Sequence, residues 1–230
     1  MNKKIQYMCL WSAPIMGVFI TIGWWLLAHF VPPPLPSWGP EEIAGFYAAN
    51  TTGIRLGMVF MIIGLGFFFP FIGLVSEFIR RMSGGSSTLA YTQLVSGSMS
   101  VAIVLFPVML WTVASFRPER SPELVQLLND MAWLITAMPF APGVIQNITI
   151  GIAILSDKSP QRIMPRWVAY MNFWMAALFL PSILMVFFKT GPFAWNGLLA
   201  FWLPLAAFSI WFSVMIFALM NAIKAQPEEA

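Results

Sequence analysis

Charge is what this chain has least of. Only 9% of its 230 residues are Asp, Glu, Lys or Arg, while 59% are apolar; an ordinary soluble domain carries about 25% charged residues. That balance excludes disorder and a water-soluble globule of usual surface chemistry. Cysteine and histidine are also scarce, Cys9 and His29 being single copies. One cysteine makes no disulfide within a chain and no Cys-based zinc site. One histidine excludes a bis-histidine haem, a histidine-rich iron centre and a typical zinc site. Membrane desaturation and alkane hydroxylation, which need histidine clusters, are therefore excluded as stand-alone activities. Cys9 reads as a small packing residue and His29 as an interfacial hydrogen-bonding one. No cofactor is implied. With neither a nucleophile–base pair nor a metal cluster in view, enzyme activity is not expected.

The small basic excess, 12 Lys and Arg against 9 Asp and Glu, is not gathered into a patch interleaved with aromatics, so nucleic acid is not an expected partner. The positive charges stand instead at the ends of six apolar runs, near Ile5–Val31, Ile54–Ile79, Ala90–Ser115, Met131–Ser156, Trp167–Phe188 and Leu198–Ile223. Each is long enough for the ~20 helical residues that cross a ~30 Å hydrocarbon core. None alternates with a period of two, as a barrel strand would. The expected fold is therefore all-α: one integral membrane domain over residues 1–230, a bundle of six transmembrane helices with the lipid bilayer as its solvent. The first run follows Lys3 and Lys4 and reads as a retained helix rather than a cleaved leader.

Lys3, Lys4, Arg80, Arg81, Lys158, Arg162, Arg166 and Lys224 fall on one side of this map, against Arg55, Arg117, Arg120 and Lys189 on the other. The positive-inside bias then places both termini in the cytoplasm of a bacterial-type inner membrane. Trp24, Trp25, Trp38, Trp111, Trp133 and Trp195 are expected in an outer interfacial belt, and Trp11 and Trp167 in an inner one. Trp202 and Trp211 lie deeper, where an indole N–H needs a partner.

The loops are short, and the acidic tail after Lys224 is expected to fray. In the first outer loop, Pro32-Pro33-Pro34-Leu35-Pro36 is stiff. Pro40-Glu41-Glu42 then resembles a helix start, with Ile43, Phe46 and Tyr47 at helical spacing. The second outer loop repeats this as Ser121-Pro122-Glu123, with Leu124, Leu127 and Leu128 as the apolar face. Short amphipathic helices are expected in both, and the third outer loop, Lys189–Gly197, hints at the same capped-hairpin grammar.

Within the spans no ionisable residue lies near mid-membrane, which argues against a carboxylate-based proton pump. Glu77, near one end of the second run, has Arg80 and Arg81 at ion-pair spacing. Every run holds proline: Pro14, Pro70, Pro107, Pro139 with Pro142, Pro181 and Pro204. Kinks are expected at these, and a break in the fourth run. Gly57, Gly64, Gly66 and Gly73 suit close helix crossings within or between subunits. Uncharged polar residues form inward stripes: Gln93, Ser96, Ser100, Pro107 and Trp111 in the third run, and Pro139, Pro142, Gln146 and Thr149, with Asn147 alongside, in the fourth. Asn172 stands early in the fifth.

These polar residues support interhelical hydrogen bonding or a polar-lined cavity. The favoured expectation is a protein that binds or conducts a small neutral or apolar solute, with Gln93, Ser96, Ser100, Gln146, Asn147, Thr149 and Asn172 as ligand contacts. The alternatives are an accessory subunit of a larger membrane complex, or a homo-oligomer, and a membrane enzyme acting on lipid or isoprenoid.

Overall fold

The computed structural model describes residues 2–82 and 87–227. The described residues are helical with no strand, and six helical stretches are long and apolar enough to cross a membrane: Lys3–Leu27, Thr51–Met82, Ser87–Phe116, Pro122–Ser156, Arg166–Phe187 and Leu198–Lys224. Span 1 is α1 (Lys3–Ile20) followed by a π-helical segment, Thr21–Leu27. A separate helix, α2 (Pro40–Ala49), precedes span 2, which comprises α3 (Thr51–Gly66) and α4 (Phe68–Met82). Span 3 is the single helix α5 (Ser87–Phe116). Span 4 comprises α6 (Pro122–Ala137) and α7 (Ala141–Ser156). Span 5 is α8 (Arg166–Phe179) running into a 3-10 segment, Leu180–Phe187, and span 6 is a π-helical Leu198–Trp202 leading into α9 (Leu203–Lys224).

Consecutive spans are neighbours all the way round. α1 packs on α3 and α4, these on α5, α5 on α6 and α7, α7 on α8, α8 on α9, and α9 back on α1. The ring closes by direct bonds at the end that holds both termini. Gln6 and Gln226 exchange amide hydrogen bonds of 2.9 Å each way, and Lys3 Nζ donates to the Gln226 carbonyl at 2.6 Å. At the opposite end the loops are sewn together: Trp195 Nε1 donates to Pro34 O (2.8 Å), Gln126 Nε2 to Trp38 O (3.1 Å) and Asn50 Nδ2 to Leu27 O (2.8 Å). Arg55 meets the last carbonyls of α5, those of Ser115 and Phe116. There the cation also faces the negative end of the helix dipole.

Spans 1 and 2 touch backbone to backbone. A Cβ on Gly23 would lie 2.5 Å from Gly57 O, and one on Gly57 would lie 2.3 Å from Gly23 O. Gly64 similarly receives Phe19, whose Cβ would be 2.6 Å away, whereas Gly66 and Gly73 have nothing within 4 Å. The close crossing therefore belongs to Gly57 and Gly64, not to all four glycines.

Several expectations shift. The second outer loop holds no separate amphipathic helix, because α6 is the first half of span 4. Its buried stripe is Val125, Asn129, Ala132 and Trp133, while Leu124 and Leu127 are 51% and 55% exposed. The leucines thus face outward along a helix whose inner side is already filled by the Trp133 indole. The third outer loop consists of turns, Gly191 taking a positive φ of 81°. Trp111 and Trp133 do not stand in a headgroup belt but are buried to 1% exposure inside the ring. Trp11, Trp25 and Trp167 are on the outside. The Ser- and Gly-rich stretch at 83–86 and the acidic Glu228 and Glu229 lie outside the described residues.

The loop from α7 to α8 is organised by Asp157. Its Oδ1 accepts from the Ser159 N–H (2.9 Å) and the Ser159 hydroxyl, and its Oδ2 from the Ile163 N–H (3.0 Å). Burial pushes this carboxyl up, but those donors and nearby Arg162 outweigh it and hold it below the usual carboxylate range. A carboxyl lowered in the folded state stabilises the fold above its unfolded-state pKa, and loses that contribution as pH falls through its folded-state value. Asp157→Asn is expected to cost about 1–3 kcal/mol at neutral pH, and the deficit against the native chain should shrink in acid; melting curves across pH check this. Gly57→Ala is expected to cost about 1–3 kcal/mol by overpacking, and Gly73→Ala to gain up to about 1 kcal/mol of helix propensity; thermal melts of the two variants give the comparison.

Candidate functional site

The ring encloses a cavity of about 290 Å³ whose walls come from all six spans. Span 1 contributes Ile20 and Trp24, and span 2 Met61, Leu65 and Phe68. Span 3 contributes Ser100, Val101, Ile103, Val104, Pro107 and Trp111. Span 4 brings Thr136, Ala137, Pro139, Phe140, Gly143, Gln146 and Asn147; span 5 brings Phe179 and Ser182; span 6 brings Ala200, Phe201, Pro204, Leu205, Phe208 and Trp211. No lining residue is ionisable. Among the described residues no group of His, Cys, Asp and Glu could hold a metal ion.

The cavity lies where the helices depart from regular geometry. Ile20 and Trp24 flank the change from α to π in span 1, and Phe68 follows the break at Phe67 in span 2. Pro139 and Phe140 form the break in span 4. Phe179 precedes the 3-10 segment of span 5, and Pro204 opens α9 just after the π segment of span 6. Five of the prolines, Pro70, Pro139, Pro142, Pro181 and Pro204, sit in or next to these interruptions. Pro142 occupies the first turn of α7 after the break in span 4, where the missing N–H has no intrahelical partner to lose, whereas Pro181 and Pro204 stand where one helical geometry runs directly into another. Pro14 and Pro107 lie within helices that continue through them. Departures from the α-ladder of this kind recur at functional sites.

Aromatic rings close both flanks. On one side Trp24, Phe30, Trp111, Trp133 and Phe201 form a cluster with centroid separations from 5.0 Å (Trp111–Trp133 and Phe30–Trp111) to 6.2 Å (Trp24–Trp111). On the other, Phe68, Phe71, Phe208, Trp211 and Phe212 interlock, with Phe208–Phe212 at 4.7 Å.

The buried polar atoms divide into two kinds. Trp133 Nε1 donates to Asn129 Oδ1 (3.1 Å), which also accepts from the Tyr47 hydroxyl (3.2 Å). Trp211 Nε1 donates to Asn172 Oδ1 (2.9 Å), and Asn172 Nδ2 donates to Val168 O (2.8 Å). Ser182 Oγ reaches across to Ala137 O (3.1 Å), beside the break in span 4. These groups are satisfied within the protein. In contrast, Trp24 Nε1, Trp111 Nε1, Gln146 Nε2 and Asn147 Oδ1 are buried without a hydrogen-bond partner, and all four belong to residues that line the cavity. Among the described residues the remaining buried side-chain atom without a partner is Gln93 Nε2, whose side-chain oxygen accepts from the Ser76 hydroxyl.

Of the seven residues expected as ligand contacts, the cavity brings together Ser100, Gln146 and Asn147. Gln93, Ser96, Thr149 and Asn172 are buried but do not line it. Ser96 donates back to Thr92 O within its own helix, and Asn172 stands behind Trp211 as its partner. Trp24, Phe68, Phe201 and Phe208 belong to the walls without having been singled out. For Trp111, Pro107 and Ser100 the signal was present, since they share one stripe of α5. For Trp24 it was not, since a tryptophan near the end of an apolar run looks the same whether it faces headgroups or core.

Compared with known proteins, the chain matches no family model, no curated protein and no solved structure.

Two substitutions separate structural from available polarity. Asn172→Leu strands the Trp211 N–H and is expected to cost about 1–3 kcal/mol. Gln146→Leu removes an amide nitrogen that has no partner to lose, and is expected to be neutral or stabilising; thermal melts in one detergent compare the pair.

Proposed function

We propose that this chain is a multi-pass protein of a bacterial-type inner membrane that binds a small neutral or apolar solute in the cavity ringed by its six spans. The observation that carries the reading is the cavity itself: apolar walls from every span, no ionisable side chain, and unpartnered polar atoms on four of its residues. Ligand sites are typically apolar with a few converging polar groups. Buried polar groups normally find partners, so four that lack one around a single cavity are best explained by a ligand that meets them. A charged solute would stand there without a counter-charge, at a cost no lining residue offsets.

Topology supports the same placement. The end of the ring carrying both termini also carries Lys3, Lys4, Lys158, Arg162, Arg166 and Lys224, which the positive-inside bias assigns to the cytoplasm. On this reading α2 lies on the outer face as a cap. Ile43 and Tyr47 are buried beneath it, and the Tyr47 hydroxyl is anchored to Asn129. Burial, with Asp130 nearby, pushes the Tyr47 phenol well above its ordinary range, so it remains a hydrogen-bond donor at any physiological pH. The aromatic cluster of Trp24, Phe30, Trp111, Trp133 and Phe201 packs against this end of the cavity, with Trp24, Trp111 and Phe201 among its walls.

Gly143 offers a test that spares the fold. It lines the cavity, and a Cβ there meets nothing within 4 Å. Leucine at this position adds helix propensity, about 1 kcal/mol relative to glycine, while occupying cavity space. The experiment measures the melting temperature of purified protein against a panel of uncharged aromatic and isoprenoid compounds, since a ligand bound to the native state alone raises it. At least one compound is expected to raise the midpoint of the native chain and to lose that effect in Gly143→Leu. Gln146→Ala and Asn147→Ala are expected to weaken it. A panel without effect on the native chain, or affinities unchanged in all three variants, would overturn the reading.

A further inference from the structure

The polar atoms around the cavity are unequal in kind and place. An indole nitrogen donates and never accepts, and two of the unpartnered atoms are indole N–H groups, those of Trp24 and Trp111, whose rings lie 6.2 Å apart. Trp133 packs 5.0 Å from Trp111 in the same cluster, yet its N–H is already bonded to Asn129. The other buried indoles that do not face this end are likewise paired, Trp195 with Pro34 O and Trp211 with Asn172. So two of the cavity's wall residues at this end carry a buried donor that no group of the protein meets. At the other end stands Gln146, whose Nε2 would lie 3.1 Å from a Cβ on Gly97. The α5 residues that line the cavity run from Ser100 to Trp111, eleven residues along one continuous helix, which at 1.5 Å per residue is about 16 Å. The site is therefore long, with an indole end and an amide end. Two of its wall residues, Pro139 near the middle of span 4 and Phe208 near the middle of span 6, are exposed, so the cavity is not sealed off along its length.

We infer that the cavity takes an elongated, uncharged, lipid-soluble carbonyl compound, its carbonyl oxygen accepting from the Trp24 and Trp111 N–H groups and its apolar body running along α5 between the aromatic walls. This deepens the solute-binding reading and rests on it. A carbonyl oxygen has two lone pairs for two donors and brings no proton of its own. A plain hydrocarbon would leave both indole donors buried and unmet, and a carboxylate would bring an unpaired charge.

Decanophenone and decylbenzene form a matched pair, identical but for a carbonyl in place of a methylene. The experiment measures saturable binding of each, as radiolabelled compound, to the full chain in lipid nanodiscs, with empty nanodiscs as the partition blank. Decanophenone is expected to bind about tenfold more tightly than decylbenzene, the effect of satisfying a buried donor. In Trp111→Phe that preference should fall to about twofold while decylbenzene affinity holds, which also reports that the cavity is intact. Trp24→Phe provides the same comparison should the first variant fail to fold. Saturable binding of both compounds with equal affinity overturns carbonyl recognition and leaves solute binding standing. Absence of saturable binding by either overturns both. A native preference that survives both tryptophan substitutions overturns the assignment to the indole end.

Discussion

A carbonyl that loses its helical partner in an apolar medium has no water to turn to, and this constraint accounts for where the irregular backbone lies. Outside the ring an unmet carbonyl would face acyl chains at a cost of several kcal/mol. Inside it, a neighbouring span can answer. Ser182 does so for Ala137 O beside the break in span 4, and Asn50 does so for Leu27 O where span 1 ends. Five of the six spans change helical geometry or break, and at five of these changes the adjoining residues line the cavity. The cavity and the interruptions are thus two descriptions of one feature: helices that cannot pack regularly along the ring axis leave space there, and that space is where their irregularity is tolerated.

Ring closure makes this arrangement possible. Each span meets the next in sequence, and the last meets the first, so short connections suffice and every span contributes to the wall of the interior. The Gly23–Gly57 approach draws spans 1 and 2 together at the level of the π segment. That places Trp24 against Trp111, Trp133 and Phe201. Buried indoles satisfy the hydrophobic effect through their rings, and they keep an N–H that must be met elsewhere.

The six spans were legible because length and apolarity are read directly, and a helix in lipid has few alternatives. The fourth was read too short. Its first half, from Pro122, carries Glu123, Asn129 and Asp130 and looks like loop chemistry by composition, although its buried stripe runs on into the span. The polar stripe of α5 was legible as a face, since steps of three and four place Ser100, Pro107 and Trp111 together. What could not be read was the depth at which each face meets its neighbour. Gln93, Ser96 and Ser100 share a stripe, but only the last reaches the cavity level. Depth depends on where each helix breaks and how closely two helices cross, and those are set between spans rather than within one.

The same limit separates Asn172 from Gln146. By composition they are alike: an amide in an apolar helix, polar enough to suggest either packing or a ligand. Their difference lies wholly in the opposite wall. Asn172 faces the Trp211 N–H and its own helix's Val168 O, so both ends of its amide are used, and the pair fixes how α8 sits on α9. Gln146 faces Gly97, which offers neither a side chain nor a free acceptor, and its nitrogen stays unmet. A buried amide whose oxygen and nitrogen are both engaged within the protein is committed to packing. Polarity available for recognition in such a bundle is therefore found where a small residue stands opposite a polar one, and here that juxtaposition borders the cavity.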